Sequence, residues 1–311
     1  MTTLVTSGTG KTGRRVADRL TALGLPVRIG SRSSAPPFDW ADRSTWPAAL
    51  DGVSAVYLAY YPDLAFPGAY DTVKAFTELA VHSGARRIVL LSGRGEPEAQ
   101  ASERTVQESG AQWTIVRCSW FMQNFSEDFL LDAVREGVIA LPVADVPEPF
   151  VDVDDIADVA AAALSQDGHA GKLYEMTGPR LLTFAQVAEE LSRATGRQIS
   201  FVRVTPQAYV DTVVAHGLPR QEAEGLSQMF TGILDGRNAS VADGVRQALG
   251  RPARDFADFA KANAKVWAAQ ASRISVAAGM GPPAGETSSS IPADRRLRAA
   301  LSSSSDNAGA R

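Results

Sequence analysis

The chain has 311 residues, 45% of them hydrophobic, and 31 basic against 35 acidic side chains for a net charge of −4. That length supports a sizeable core, as one large α/β domain or as a nucleotide domain with a smaller lobe, and the balanced charge argues against nucleic-acid binding as the main role. A single cysteine (Cys118), three scattered histidines (His82, His169, His216) and no apolar run of about 18 residues exclude an intramolecular disulfide, a metal site of ordinary ligand spacing and a membrane span.

Met1 to Val5 reads as a short buried strand. It runs into Gly8-Thr9-Gly10-Lys11-Thr12-Gly13 and then into a helical pattern from Arg14 to Leu20. Strand, Gly-x-Gly-x-x-Gly, helix is the context of a dinucleotide-binding loop. Gly8 permits the tight turn, Gly10 lets backbone approach a pyrophosphate, and Gly13 lets the helix pack on the strand. The helix N-terminus then offers N–H groups to the phosphates. Gly10-Lys11-Thr12 also looks like the end of a phosphate loop of the Walker A type, but that motif needs glycine where Val5 stands. The plain alternative is a glycine-rich turn.

The helix ends near Gly24, and Leu25 to Gly30 reads as the second strand. An NAD-specific site puts an acid after this strand to hold the ribose 2′-hydroxyl. Here the place carries Ser31-Arg32-Ser33-Ser34. Guanidinium and hydroxyl donors suit a 2′-phosphate, so Arg32 and Ser33 predict NADPH rather than NADH, with Lys11 adding charge.

Further strands are expected at Ser54–Ala59, Arg86–Leu91 and Trp113–Arg117, with helices over Gly68–Ser83 and Glu98–Ser109 between them. The alternation predicts an α/β fold: a Rossmann-like, doubly wound parallel sheet. Beyond residue 118 the pattern is less regular. Asp154 reads as the N-cap of a helix over Ile156–Leu164, Lys172–Thr177 as a strand, and Thr183 with Gln186 as a capping box. This gives a core over 1–155, then sheet completion with a small, mostly helical C-terminal substrate lobe over 156–278. Residues 279–311, rich in serine and proline with a small basic cluster at Arg295, Arg296 and Arg298, read as a disordered tail.

Several blocks together resemble the NmrA-like branch of atypical short-chain dehydrogenases. They are Thr6–Gly13, Ser31-Arg32, Phe38-Asp39-Trp40, Ala55–Leu58, Ser119–Phe125, Phe150–Ala157 and Gly250-Arg251-Pro252. The likeness covers roughly 2–262 and leans toward bacterial relatives of ergot-alkaloid reductases. It implies a Rossmann fold that binds NADP(H). It also implies that Cys118 to Phe121 border the nicotinamide, that Ala59-Tyr60-Tyr61 lie along the cofactor, and that Asp39, after a presumed third strand, meets the adenine. Two departures from the family pattern sit beside the hydride position. Cys118 stands where proline is usual, as do Tyr60 and Tyr61.

The familiar catalytic Tyr-x-x-x-Lys pair is missing from the helix over 98–109. A literal match, Tyr70 to Lys74, lies on an earlier helix and reads as a surface pair. Candidate proton donors are therefore Ser92, Tyr60 and Tyr61. Trp120, Phe121, Asn124 and Phe125 are expected to line a pocket for a flat substrate. A ketone needs such a donor, whereas an iminium carbon does not. The expectation is a cytoplasmic NADPH-dependent reductase, monomer or homodimer, acting on a bulky aromatic or polycyclic carbonyl or iminium compound of secondary metabolism. The alternatives are a non-catalytic NADP(H) sensor that regulates a partner, or a quinone or azo reductase.

Overall fold

A computed structural model describes residues 2–268; the expected tail over 279–311 and its basic cluster lie outside them. Six strands, β1 (Thr2–Thr6), β2 (Val27–Gly30), β3 (Val53–Leu58), β4 (Arg87–Gly93), β5 (Gln112–Cys118) and β7 (Lys172–Met176), form one sheet. Their order is β2-β1-β3-β4-β5-β7 and every pairing is parallel. The strands read as apolar runs because both faces are covered. Val5, Tyr57, Val89 and Val116 point into one layer with α1 (Lys11–Ala22) and α6 (Val153–Ser165). Leu4, Val56, Leu58, Ile88, Leu90 and Ile115 point into the other, with α2 (Trp46–Leu50), α3 (Ala69–His82) and α4 (Pro97–Gln107). Alternation of side chains along each strand makes the fold doubly wound.

The presumed third strand before Asp39 does not form. Residues 31–42 are turns and bends, with one isolated bridge between Asp39 and Asp42. Pro36 and Pro37 carry no N–H to give to a ladder. The helix α6 is capped two residues earlier than its sequence suggests: Asp152 accepts from the Asp154 amide at 2.8 Å. Asp154 sits in the first turn and pairs with Arg19 of α1 at 2.7 Å. Asp155, fully buried, is held by Arg254 and, at 2.8 Å, by Arg251, the arginine of the Gly250-Arg251-Pro252 block.

The described chain divides into two compact units. The first comprises residues 2–123, 146–183 and 233–259 and contains the sheet; the second comprises 124–145, 184–232 and the chain from 260. Instead of one cut at 155, the backbone passes repeatedly between them. The second unit holds the small parallel pair β6 (Val138–Leu141) and β8 (Ser200–Arg203), with α5 (Leu131–Glu136), α7 (Phe184–Thr195) and α8 (Pro206–Ala215). Helix α9 (Arg220–Ile233) lies almost wholly in the second unit, α10 (Gly244–Leu249) lies in the first, and α11 (Phe256–Asn263) starts in the first and ends in the second. No helix among the described residues is long and apolar enough to cross a membrane.

Candidate active site

The glycine loop is a cradle with no spare room. A Cβ on Gly13 would lie 2.3 Å from the Ser7 carbonyl oxygen and 2.9 Å from the Gly8 Cα. A Cβ on Gly8 would meet the Val5 carbonyl and Ile29 at 2.8 Å, and one on Gly10 would meet the Ser7 carbonyl at 3.1 Å. Ser7 turns the chain with a left-handed φ of 48°, and the Gly10 amide closes the turn on its carbonyl at 2.8 Å. Gly10 is the N-cap of α1, and no side chain caps the helix there. The start of α1 therefore faces the loop with the positive end of its dipole, the arrangement that takes a pyrophosphate. Thr9 is exposed at the loop tip, whereas Thr12 is buried, its side chain beside Tyr57, so it has a backbone amide to offer and no hydroxyl.

Ala59 fixes this loop to the next strand. Its carbonyl accepts from the Ser7 hydroxyl at 2.9 Å and the Trp40 indole at 3.2 Å, and its amide donates to Thr6 Oγ1 at 2.8 Å. Ala59 thus acts through its backbone, holding Ser7 where the glycine turn needs it. After β2, Ser34 ties the turn together by donating to the Ser31 carbonyl at 2.7 Å, which leaves Arg32 and Ser33 exposed. Asp39 accepts from the Ala41 amide at 3.0 Å and its carbonyl accepts from the Trp46 indole at 2.8 Å, so it shapes a local turn.

The segment after β5 comes to the glycine loop. The Lys11 ammonium lies 5.9 Å from the centroid of the Phe121 ring, and both Trp120 and Phe121 are only half-buried. Two neighbouring candidates point elsewhere. The Cys118 thiol is buried in the apolar layer under α6, its pKa pushed well up by that burial, and its carbonyl accepts from the Arg94 amide at 2.9 Å. Phe125 is fully buried in the second unit, packed on Phe184 at 6.1 Å, while its carbonyl accepts from the Trp267 indole at 2.7 Å. Its aromatic character serves that core. Asn124 is buried too, and its carbonyl accepts from the Leu130 amide at 3.3 Å.

Of the three candidate donors, Ser92 gives its hydroxyl proton to Glu103 at 2.6 Å, and Arg117 holds the same carboxylate at 2.8 Å. Ser92 thereby links β4 to α4 and β5, and its proton is committed. Tyr60 packs edge-on to Trp40 at 5.2 Å; burial raises its phenol pKa, against a hydrogen bond from Thr72. Tyr61 is half-buried beside it. Tyr70 and Lys74 are exposed on α3, where Tyr70 borders a shallow depression with Ala101, Arg104 and Thr105 of α4.

The profile of the NmrA-like family matches residues 100–249. An agroclavine dehydrogenase of Claviceps fusiformis is 36% identical over 292 residues, covering 86% of this chain and 99% of that protein. The chain belongs to the NmrA-like family. An NAD(P)H azoreductase of Xenophilus azovorans is 32% identical over 86% of this chain and 99% of its own length. Among solved structures, the NADPH-dependent quinone oxidoreductase QOR2 of Escherichia coli, complexed with NADPH, superposes with a TM-score of 0.71 at 22% identity, covering 84% of this chain and 99% of that one. The last likeness concerns the fold, which carries the same Rossmann-like sheet.

Sequence reading passed over two acids at this edge of the NmrA-like sheet. Glu148 is buried, one oxygen has no hydrogen-bond partner among the described residues, and burial raises its pKa to about 7 against a bond from the Trp120 amide and the attraction of Arg94. Glu96, in the loop leaving β4, likewise has a buried oxygen without a partner, and burial with the nearby Asp63 and Glu98 raises its pKa to about 8. For Glu96 the only cue in the sequence was proximity to Ser92 at a strand end, and Glu148 offered none; depth and neighbours are properties of the folded chain.

Proposed function

We propose that this chain is an NADPH-dependent oxidoreductase that reduces bulky aromatic or polycyclic carbonyl or iminium compounds, in secondary metabolism. The observation that carries the reading is the glycine turn at Gly8, Gly10 and Gly13, wound so tightly that a Cβ at each would press on the loop's own neighbours, leading into the uncapped start of α1. The curated relatives named above support the oxidoreductase part. NADPH supplies a hydride when bound, and the protein's task is to hold an electrophilic carbon close to it.

The chain's own residues divide that task. The amides at the start of α1 bind the pyrophosphate, and Lys11 and Arg32 with Ser33 answer the 2′-phosphate and the remaining charge. Trp120 and Phe121 offer half-buried aromatic surface beside the glycine loop, suited to a flat substrate. The helix-face position of Tyr70 and Lys74 supports a mechanism without the usual tyrosine–lysine pair.

Titration with NADPH and NADH tests the cofactor: saturable binding that prefers NADPH, lost in Gly10→Asp, is expected. A panel of ketones, quinones, azo dyes and iminium salts tests the substrate class. Turnover confined to quinones or azo dyes would support the second reading, which the azoreductase relative favours. Equal affinity for NADP⁺ and NADPH without any turnover would replace the enzyme by a sensor.

A further inference from the structure

The loop Gly93 to Glu96 leaves β4 at the C-terminal edge of the sheet, where open α/β folds place their ligands. Glu96 stands at the N-cap of α4, yet its side chain caps no amide of that helix. Instead it folds back over Gly93. A Cβ on Gly93 would lie 2.1 Å from Glu96 Oε2 and 2.7 Å from Oε1, so the carboxyl occupies the space a side chain there would need. Oε2 is buried without a hydrogen-bond partner among the described residues, whereas the residue as a whole is only half-buried. One oxygen is sealed against the loop and the group remains within reach of the surface.

From these positions we propose that Glu96 is the proton donor for carbonyl reduction, an inference that rests on the reductase reading above. An ionised carboxylate with a buried, unpartnered oxygen is costly, and the neutral acid is a donor. The charged groups around it act in the same direction. Asp63, in the loop after β3 that also carries Tyr60 and Tyr61 and itself held above the usual carboxylate range by burial, and Glu98, in the first turn of α4, both favour the protonated form of Glu96. The nearby arginines are turned to other partners: Arg94 donates to the Asn238 and Ser240 carbonyls, and Arg237 pairs with Asp235 while donating to the Gly95 carbonyl. With a pKa of about 8, Glu96 carries its proton at neutral pH.

The step balances. A hydride from NADPH forms a C–H bond at the carbonyl carbon, and the C–O π pair becomes a lone pair on oxygen. The Glu96 O–H bond breaks and its proton joins that oxygen. The carbonyl carbon is reduced, NADPH is oxidised to NADP⁺, and the Glu96 carboxylate regains a proton from solvent. An iminium carbon needs only the hydride.

Glu96→Gln in the full chain is the test, with NADPH affinity measured alongside. It is expected to bind NADPH as the unaltered protein does, to lose roughly 10²- to 10⁴-fold in kcat on ketones, and to retain reduction of a dihydroisoquinolinium salt. The unaltered enzyme should lose ketone activity as pH rises through about 8. Asp63→Asn, which removes a facing negative charge, should move that limb to lower pH. Independently of turnover, ¹³C NMR of glutamate-labelled, cofactor-free protein should show a carboxyl titrating near 8 that vanishes in Glu96→Gln. Undiminished ketone reduction by Glu96→Gln, absence of that carboxyl signal, or an enzyme that reduces iminium salts but no carbonyl would each overturn the assignment. Failure to bind NADPH would overturn the parent reading as well, and the binding measurement separates the two cases.

Discussion

The exits of β1 and β4 lie at the same edge of one sheet and are made of different material. The exit of β1 is backbone: three glycines, a left-handed serine and an uncapped helix start, held by the Ala59 carbonyl. The exit of β4 is side chain: Ser92 on Glu103, Arg94 on the 238–240 segment, and Glu96 folded over Gly93. The first works by steric fit and fixed dipoles, which are nearly independent of pH. The second works by protonation states, which depend on burial and on every charge nearby. Cofactor binding and proton supply should therefore fail separately.

On cofactor affinity and stability, the largest expected effect belongs to the backbone end. Gly13→Ala puts a methyl 2.3 Å from the Ser7 carbonyl, a rigid neighbour, and should cost about 3 kcal/mol, or more than ~100-fold in NADPH affinity by calorimetry. Affinity within a few-fold of the original would show that the loop adapts.

The tie between α6 and the chain near 251–254 comes next. Asp155→Ala removes the buried partner of Arg251 and Arg254 and should destabilise the fold by about 2–3 kcal/mol in urea unfolding. The effect falls at or below the foot of the usual range of about 3–5 kcal/mol because both arginines reach solvent. Arg32→Ala should then reduce the preference for NADPH over NADH by roughly tenfold, through loss of a charge-assisted contact, with NADH binding unchanged. Equal losses for both cofactors would assign Arg32 to something other than the 2′-phosphate.

At the side-chain end, Glu148 has a folded pKa of about 7 against an ordinary 4.5. The stability it contributes is fully present below 4.5 and is lost as pH rises through about 7. Glu148→Gln should flatten stability over that window in urea melts at stepped pH; an unchanged slope would count against it. The smallest effect is expected from Ser92→Ala, about 1 kcal/mol in stability with little change in kcat, because its proton already serves Glu103. A hundredfold fall in kcat would restore Ser92 as a donor.

The two exits also differed in how far they could be read in advance. Gly8, Gly10 and Gly13 announce themselves because only glycine allows backbones so close, and a steric rule of that kind is written in residue identity and spacing. The parallel sheet was legible for a similar reason: apolar runs between helical patterns have one comfortable packing. The strand expected before Asp39 failed because Pro36 and Pro37 cannot donate to a ladder, a local cue that the family pattern outweighed. Phe125 and Cys118 share the composition of a pocket wall and of a core, and their burial puts both in the core.

By itself the sequence determined the fold class, the nucleotide loop and the absence of a tyrosine–lysine pair at its expected place. Tertiary structure decided which polar groups are spent and which are left over. Ser92 and Glu96 lie in one short stretch of chain, and nothing in their order says that the first hands its proton to Glu103 while the second keeps an oxygen buried and unpartnered. That difference arises from long-range neighbours, Arg117 for one and Asp63 for the other, which only the folded sheet brings within range.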